Sequence, residues 1–178
     1  MKRTLCVLLA LLALGGLVFA DGTLVAYYSR TGHTEFVAET IAEETSADVF
    51  RIETVDPYTD EDVNWRNPES RVSLQHENPE LRIVDLVVDT PEGWESYDTV
   101  FIGYPIWYGS VSYPVFTFAS LNDFEGKTVI PFCTSTNAGI DGSDVFLSET
   151  AGSGAWLPGR RFTEKPEKED ILSWLESL

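Results

Sequence analysis

Residues Ser29 to Thr34 read Ser-Arg-Thr-Gly-His-Thr, a cluster of hydroxyls, an imidazole and a glycine of the kind that holds an anion. A short β-rich apolar run, Thr23 to Tyr28, precedes the cluster, and a helical pattern follows from about Glu35. A strand, a hydroxyl-rich turn and a helix together form an anion site. The free N–H groups of the first helical turn point at the ligand and the helix dipole adds positive potential. Gly32 lets the backbone turn tightly and approach a phosphate. No lysine follows the glycine and there is no G-x-G-x-x-G, which disfavours a nucleoside triphosphate or a dinucleotide. A single terminal phosphate held mainly by neutral donors fits better. The same residues also make an ordinary N-cap and turn, so the loop alone leaves both readings open.

Two more loops carry unusual chemistry. A strong strand, Thr99 to Ile102, runs into Gly103-Tyr104-Pro105-Ile106-Trp107-Tyr108-Gly109. Adjacent residues on a loop cannot both face one core, so Trp107 and Tyr108 are not both core aromatics. Aromatic faces beside a tight turn suit a planar ligand. The strand Thr128 to Cys133 is followed by Thr134-Ser135-Thr136-Asn137-Ala138-Gly139. Other chemistries fare poorly. His33 and His76 lack ligand-like neighbours, so no metal site is expected. Asn137-x-Gly139-x-Asp141-Gly142 resembles a calcium loop only faintly, with Ser148 where its terminal glutamate belongs. Cys133 lies in an apolar strand and reads as a buried thiol rather than a nucleophile.

The elements that position these loops alternate. Glu35 to Thr45 is a helix with Val37 and Ile41 on one face. Ala47 to Glu53 is a half-buried strand. Tyr58 to Pro79 reads as a loop with one poor helix near Asp62 to Trp65, and Leu81 to Val88 as a short edge strand. Thr90 to Gly93 is a turn. Pro114 opens a helix over Val115 to Leu121. Ser143 to Thr150 is a weaker helix. Trp156 to Phe162 is the last strand, interrupted at Pro158-Gly159. Pro166 to Leu178 is a terminal helix with Ile171, Trp174, Leu175 and Leu178 on one face. Alternating strands and helices imply a doubly wound parallel α/β sheet, in which ligands bind beyond the carboxyl ends of the strands. Each special loop follows a strand, so the three are expected to meet on one rim.

Residues 1 to 20 read as a secretory signal peptide. Lys2 and Arg3 precede an apolar run from Leu5 to Phe19, and Val18-Phe19-Ala20 precedes a cut. Export to the periplasm or the medium after cleavage near Ala20 is the expectation. An uncleaved N-terminal membrane anchor is the alternative, and the run is short for a span. Residues 21–178 form one domain. The formal charge of −17 becomes −19 without Lys2 and Arg3. Nucleic acid needs a basic surface and is not an expected partner. The acidity fits docking to a basic protein partner and equally plain solubility. After cleavage only Cys133 remains of the two cysteines, so no internal disulfide is expected.

The chain resembles the flavodoxin family. Tyr27 to Glu53 is similar to the family's phosphate loop and following helix, Asp98 to Phe118 to its third strand, aromatic loop and next helix, and Thr128 to Ser135 to its fourth strand. The resemblance implies a five-stranded sheet of order 2-1-3-4-5 that binds FMN without a covalent bond. Ser29, Thr31, Gly32, His33 and Thr34 are then expected to hold the phosphate. Trp107 and Tyr108 are expected to flank the isoalloxazine with Gly109 beside them, and Thr134, Ser135 and Gly139 to touch its other side. His33 stands where asparagine is usual. A charged imidazole binds phosphate better than a neutral one, so affinity is expected to rise as pH falls. Thr136-Asn137 replaces the usual glycine pair of the third loop. Ser153-Gly154-Ala155 comes near a covalent flavin-acceptor pattern, but Trp156 stands where threonine is needed, and the segment reads as a turn. The resemblance implies an electron carrier for redox partner proteins. The alternatives are an FMN-dependent NAD(P)H reductase of quinone-like acceptors and a flavin-free binding module.

Overall fold

The computed structural model describes residues 22–140 and 142–178. The signal-peptide reading of residues 1–20 lies outside them. β1 (Thr23–Tyr27), β2 (Asp48–Arg51), β3 (Thr99–Trp107) and β5 (Thr128–Thr134) form the parallel sheet with β6 (Ala155–Trp156) and β7 (Arg160–Phe162), while β4 (Ser110–Val111) turns back antiparallel on β3. The order is β2-β1-β3-β5-β6, with β7 also on β5. β6 and β7 are two halves of one edge strand, broken at residues 157–159. The core order is therefore the expected 2-1-3-4-5, with β4 as an added hairpin strand.

Strict alternation along the inner strands divides the core in two. On one face Leu24 and Ala26, Val100, Ile102 and Tyr104, and Val129 and Cys133 meet Val115 and Phe118 of α3 (Tyr113–Leu121) and Leu147 of α4 (Ser143–Ala151). On the other, Val25, Tyr27, Phe101, Ile130 and Phe132 meet α1 (His33–Thr45) and α5 (Lys168–Leu175). α1 presents Val37, Ala38, Ile41 and Ala42, and α5 presents Ile171, Trp174 and Leu175, at helical spacing. Both faces are covered, as an all-parallel core requires. Among the described residues no helix is long and apolar enough to cross a membrane.

The crossover from β2 to β3 departs most from expectation. α2 occupies Arg71–Glu77, capped by the Ser70 side chain, which accepts from the Ser73 N–H. Only Val72, Ser73 and Gln75 of this helix are buried, so it carries no apolar periodicity to read. Residues 62–65 form turns instead of a helix. Residues 81–88 are not a strand. Pro79–Leu81 is a single 3₁₀ turn, and one antiparallel bridge joins Thr54 to Leu86. Ile83, Val87 and Val88 are each about half exposed, so these β-branched residues have little to pack on and the expected strand does not form. α1 starts two residues earlier than expected, at His33, because Gly32 already provides the left-handed N-cap.

Candidate functional site

The candidate anion end is the turn between β1 and α1. Gly32 has φ +87 and is the N-cap of α1, and no side chain caps the helix. Its first-turn N–H groups are therefore left for a ligand. The Ser29 hydroxyl accepts from the Gly32 N–H at 3.1 Å and closes the turn. The Gly32 carbonyl accepts from Phe36 N–H at 2.9 Å and starts the helix. Glu35 is the acid of the first turn, and its carboxylate is engaged by Arg51 and by the Tyr27 hydroxyl. That neutralises the charge that would oppose an anion. Thr34 Oγ1 lies 2.8 Å from Thr134 Oγ1, tying the first loop to the third through two buried hydroxyls. Thr31 Oγ1 sits 3.4 Å from His33 Nδ1.

The second loop is a hairpin. Trp107 pairs with Ser110, and the two residues between them have positive φ, +49 at Tyr108 and +71 at Gly109. Two successive positive φ values are what the I′ class of two-residue hairpin needs. A tyrosine held there costs on the order of 1 kcal/mol and needs other contacts to persist. The structure supplies them. The Tyr108 hydroxyl donates to the Trp65 carbonyl at 2.9 Å and lies 2.7 Å from Ser73 Oγ, and its ring stacks on His76 with centroids 4.2 Å apart. Trp107 turns the opposite way. It is half-buried against Tyr58, Tyr28 and Tyr113, with centroids 4.7, 5.7 and 6.0 Å away. The two neighbours face different surroundings, as their adjacency required.

The third loop is held from below by Arg161, whose Nη2 donates to the Ser135 and Thr136 carbonyls, both at 2.7 Å. Ser135 Oγ donates to the Ala138 carbonyl, and Thr136 Oγ1 to Glu164, also at 2.7 Å. The three loops converge on one cavity of about 550 Å³. Of the expected residues, Thr31, His33, Thr34, Trp107, Tyr108, Gly109, Thr134 and Ser135 line it. Ser29 and Gly32 stand behind it and shape the turn. Gly139 is exposed and lies outside the lining. Val63 and Trp65 of the crossover and Glu164 also line it, and neither they nor Arg161 was anticipated. Trp65 carried the one legible signal, a tryptophan in a polar stretch with no apolar face to join.

Burial sets the titration of the groups beneath the cavity. It pushes the Tyr28 and Tyr58 phenols up to about 12 from 10.0, with nearby Arg30 and Arg71 respectively offsetting part of the rise. Their folded values lie above the unfolded one. Their stabilising share is thus complete below pH 10 and is lost as pH climbs toward 12. Urea midpoints should fall over that window, and Tyr58→Phe should fall less steeply; equal slopes would count against this linkage. Burial also pushes the Cys133 thiol up to about 12, which fits an inert core thiol.

The model of the family Flavodoxin matches residues 22–178. A chain of Bacteroides eggerthii DSM 20697 named as a flavoprotein is 34% identical over 88% of this chain and 96% of that one, with a TM-score of 0.79. One of Bacteroides uniformis ATCC 8492, also named as a flavoprotein, is 32% identical over 87% and 97%, with a TM-score of 0.81. A flavoprotein of Lactobacillus acidophilus NCFM solved in complex with FMN is 21% identical over 87% and 99%, with a TM-score of 0.65, and shares the fold. No curated protein matches the chain.

Proposed function

Because the chain belongs to the flavodoxin family, we propose that it binds FMN in the three-loop cavity and serves as an electron carrier. The carrying observation is the cavity itself. An uncapped helix N-terminus with hydroxyl donors stands at one end, and aromatic side chains with a polar loop stand at the other. The fit is chemical. The α1 N–H groups and the hydroxyls of Thr31 and Thr34 suit a phosphate monoester, and the Tyr108-Gly109 turn and third loop suit a planar ring with polar edges. Bound there, the flavin would supply the redox chemistry, and the protein would set its potential and orientation. The formal charge of −17 favours a redox partner with a basic docking face and opposes negative charge on the reduced ring. Export after cleavage near Ala20 belongs to the same reading.

The test is reconstitution. Apoprotein mixed with FMN and freed of excess should show visible flavin bands with quenched fluorescence, and a colourless product would refute the proposal. Stopped-flow mixing of the loaded protein with NADPH separates carrier from reductase, since a carrier is reduced slowly or not at all.

Gly109 is expected to tune the potential. A Cβ there meets nothing within 4 Å, so Gly109→Ala changes the backbone preference of a φ +71 position without a clash. Glycine reverses its peptide cheaply and alanine does not. The variant should fold and shift the reduction potential of the bound flavin. Unchanged potentials in a spectroelectrochemical titration would argue against this role.

A further inference from the structure

Trp65, Trp107 and Tyr108 line the cavity, and Trp107 and one face of Tyr108 are already engaged. The Trp107 ring packs against Tyr28, Tyr58 and Tyr113. The Tyr108 ring stacks on His76 at an interplanar angle of 12°, and its hydroxyl is bound to Ser73 and the Trp65 carbonyl. Trp65 is different. Its residue is 59% exposed, and no other aromatic ring meets it among the described residues. The Arg66 guanidinium lies 4.2 Å from its ring centroid and covers one face. An exposed indole with a cation on one face and a ligand-sized cavity beside it is an unfilled stacking surface.

Its backbone is anchored while its ring is not. A chain of hydroxyls runs from Ser70 through Ser73 and Tyr108 to the Trp65 carbonyl, at 2.8, 2.7 and 2.9 Å. It ties the crossover to the hairpin turn that carries Gly109. The Asn64 side-chain oxygen accepts from Arg66 N–H at 3.2 Å, and Arg30 pairs with Asp60 at the start of the same stretch. Trp65 is thereby fixed at the cavity wall with an open ring face. Exposing an indole costs free energy that a bound planar ring would recover.

We infer that Trp65 is a ring-stacking residue of the site: it covers the outer face of a bound isoalloxazine and denies that face to a nicotinamide. The inference rests on the flavin reading above. Hydride transfer carries a proton and two electrons from nicotinamide C4 to the flavin N5, leaves oxidised nicotinamide, and requires the two rings to stack. An indole lying on that face blocks the approach, whereas an electron passing to a partner protein needs only an exposed ring edge. The cavity would thus select a carrier over a reductase through one side chain.

The test uses the full chain, wild type and Trp65→Ala, titrated with FMN and separately with riboflavin by flavin fluorescence. Stacking contributes about 1–3 kcal/mol per ring, or roughly 5- to 150-fold in affinity. Trp65→Ala should weaken both ligands by the same factor within that range, and Trp65→Phe should restore most of the loss. Apoprotein urea midpoints should stay within experimental error, because the ring supports little of the fold. The loaded Trp65→Ala protein should also be bleached by NADPH faster than wild type. Failure of wild type to bind FMN overturns the flavin reading. Wild-type binding with unchanged affinity in Trp65→Ala overturns the stacking role alone. Weaker binding with no faster NADPH bleaching overturns the exclusion of nicotinamide.

Discussion

Gly103→Ala should destabilise the protein more than any other single methyl added to the sheet. Gly103 pairs with Tyr27 on one side and Phe132 on the other, in the middle of the sheet. A Cβ there would lie 2.2 Å from Phe132 Cζ and within 2.9 Å of two more ring atoms. Phe132 is fully buried and packs against Trp174 of α5, so its ring has nowhere to retreat. Overpacking of this kind costs about 1–3 kcal/mol, a large share of the roughly 5–15 kcal/mol that holds a domain together. The urea midpoint of Gly103→Ala should fall accordingly. Gly103→Ala combined with Phe132→Leu should be more stable than the sum of the two single losses allows, because the clash is one contact between one pair. Strictly additive losses would show that the glycine is needed for some other reason. The effect reaches the site as well, since the same strand ends at Trp107 and aims the hairpin.

How much of this was legible in the sequence follows from which forces wrote it. The inner strands and α1, α3 and α5 were readable because each buries a face, and burial writes a period of two or 3.6 into the chain. Gly103 was visible as a residue, yet it was assigned to the loop. Its place within β3 depends on Phe132, 29 positions away, and no local pattern encodes that contact. The split between β6 and β7 was signalled by Pro158-Gly159. A Cβ at Gly159 would lie 2.4 Å from Ile140 Cδ1, which is again a tertiary fact. α2 escaped notice because it rests on a Ser70 cap and polar burial, including Gln75, which accepts from the Tyr58 hydroxyl at 2.9 Å. The strand expected at residues 81–88 failed because β-propensity expresses packing, and Ile83, Val87 and Val88 have little to pack on.

The site divides in the same way. The turn from Ser29 to Thr34 and the helix it opens were legible, because hydroxyls, a glycine and a following helix are all local. The aromatic wall of the cavity was only half legible. Adjacency showed that Trp107 and Tyr108 do not share one core, but what each ring packs on is set by Tyr58, His76 and Ser73 from distant segments. Arg161 holds the third loop from a strand that lies 25 residues further along the chain from Thr136. A guanidinium that grips two carbonyls is not a motif, and only the fold makes it one.

Thr34→Val is expected to separate the two ends of the ligand. Thr34 is 1% exposed and lines the cavity, and its hydroxyl meets that of Thr134 at 2.8 Å. Valine has nearly the same shape, so the helix and its packing against β1 should persist. What is lost is one donor at the helix N-terminus, and a hydrogen bond to a charged group contributes about 1.5–3 kcal/mol. FMN affinity should therefore fall roughly 10- to 150-fold. Riboflavin has the same ring and no phosphate, and its affinity should stay within about twofold, since no charged acceptor is lost. The apoprotein should lose only about 1 kcal/mol, from the Thr134 hydroxyl left without its partner. Thr34→Ser should keep most of the FMN affinity. Equal losses for FMN and riboflavin would move Thr34 to the ring end of the cavity. Unchanged binding of both would leave the phosphate to the backbone N–H groups of α1 alone. The pattern complements that of Trp65→Ala, which should weaken both ligands alike, so the pair of variants reads the orientation of the flavin from affinities.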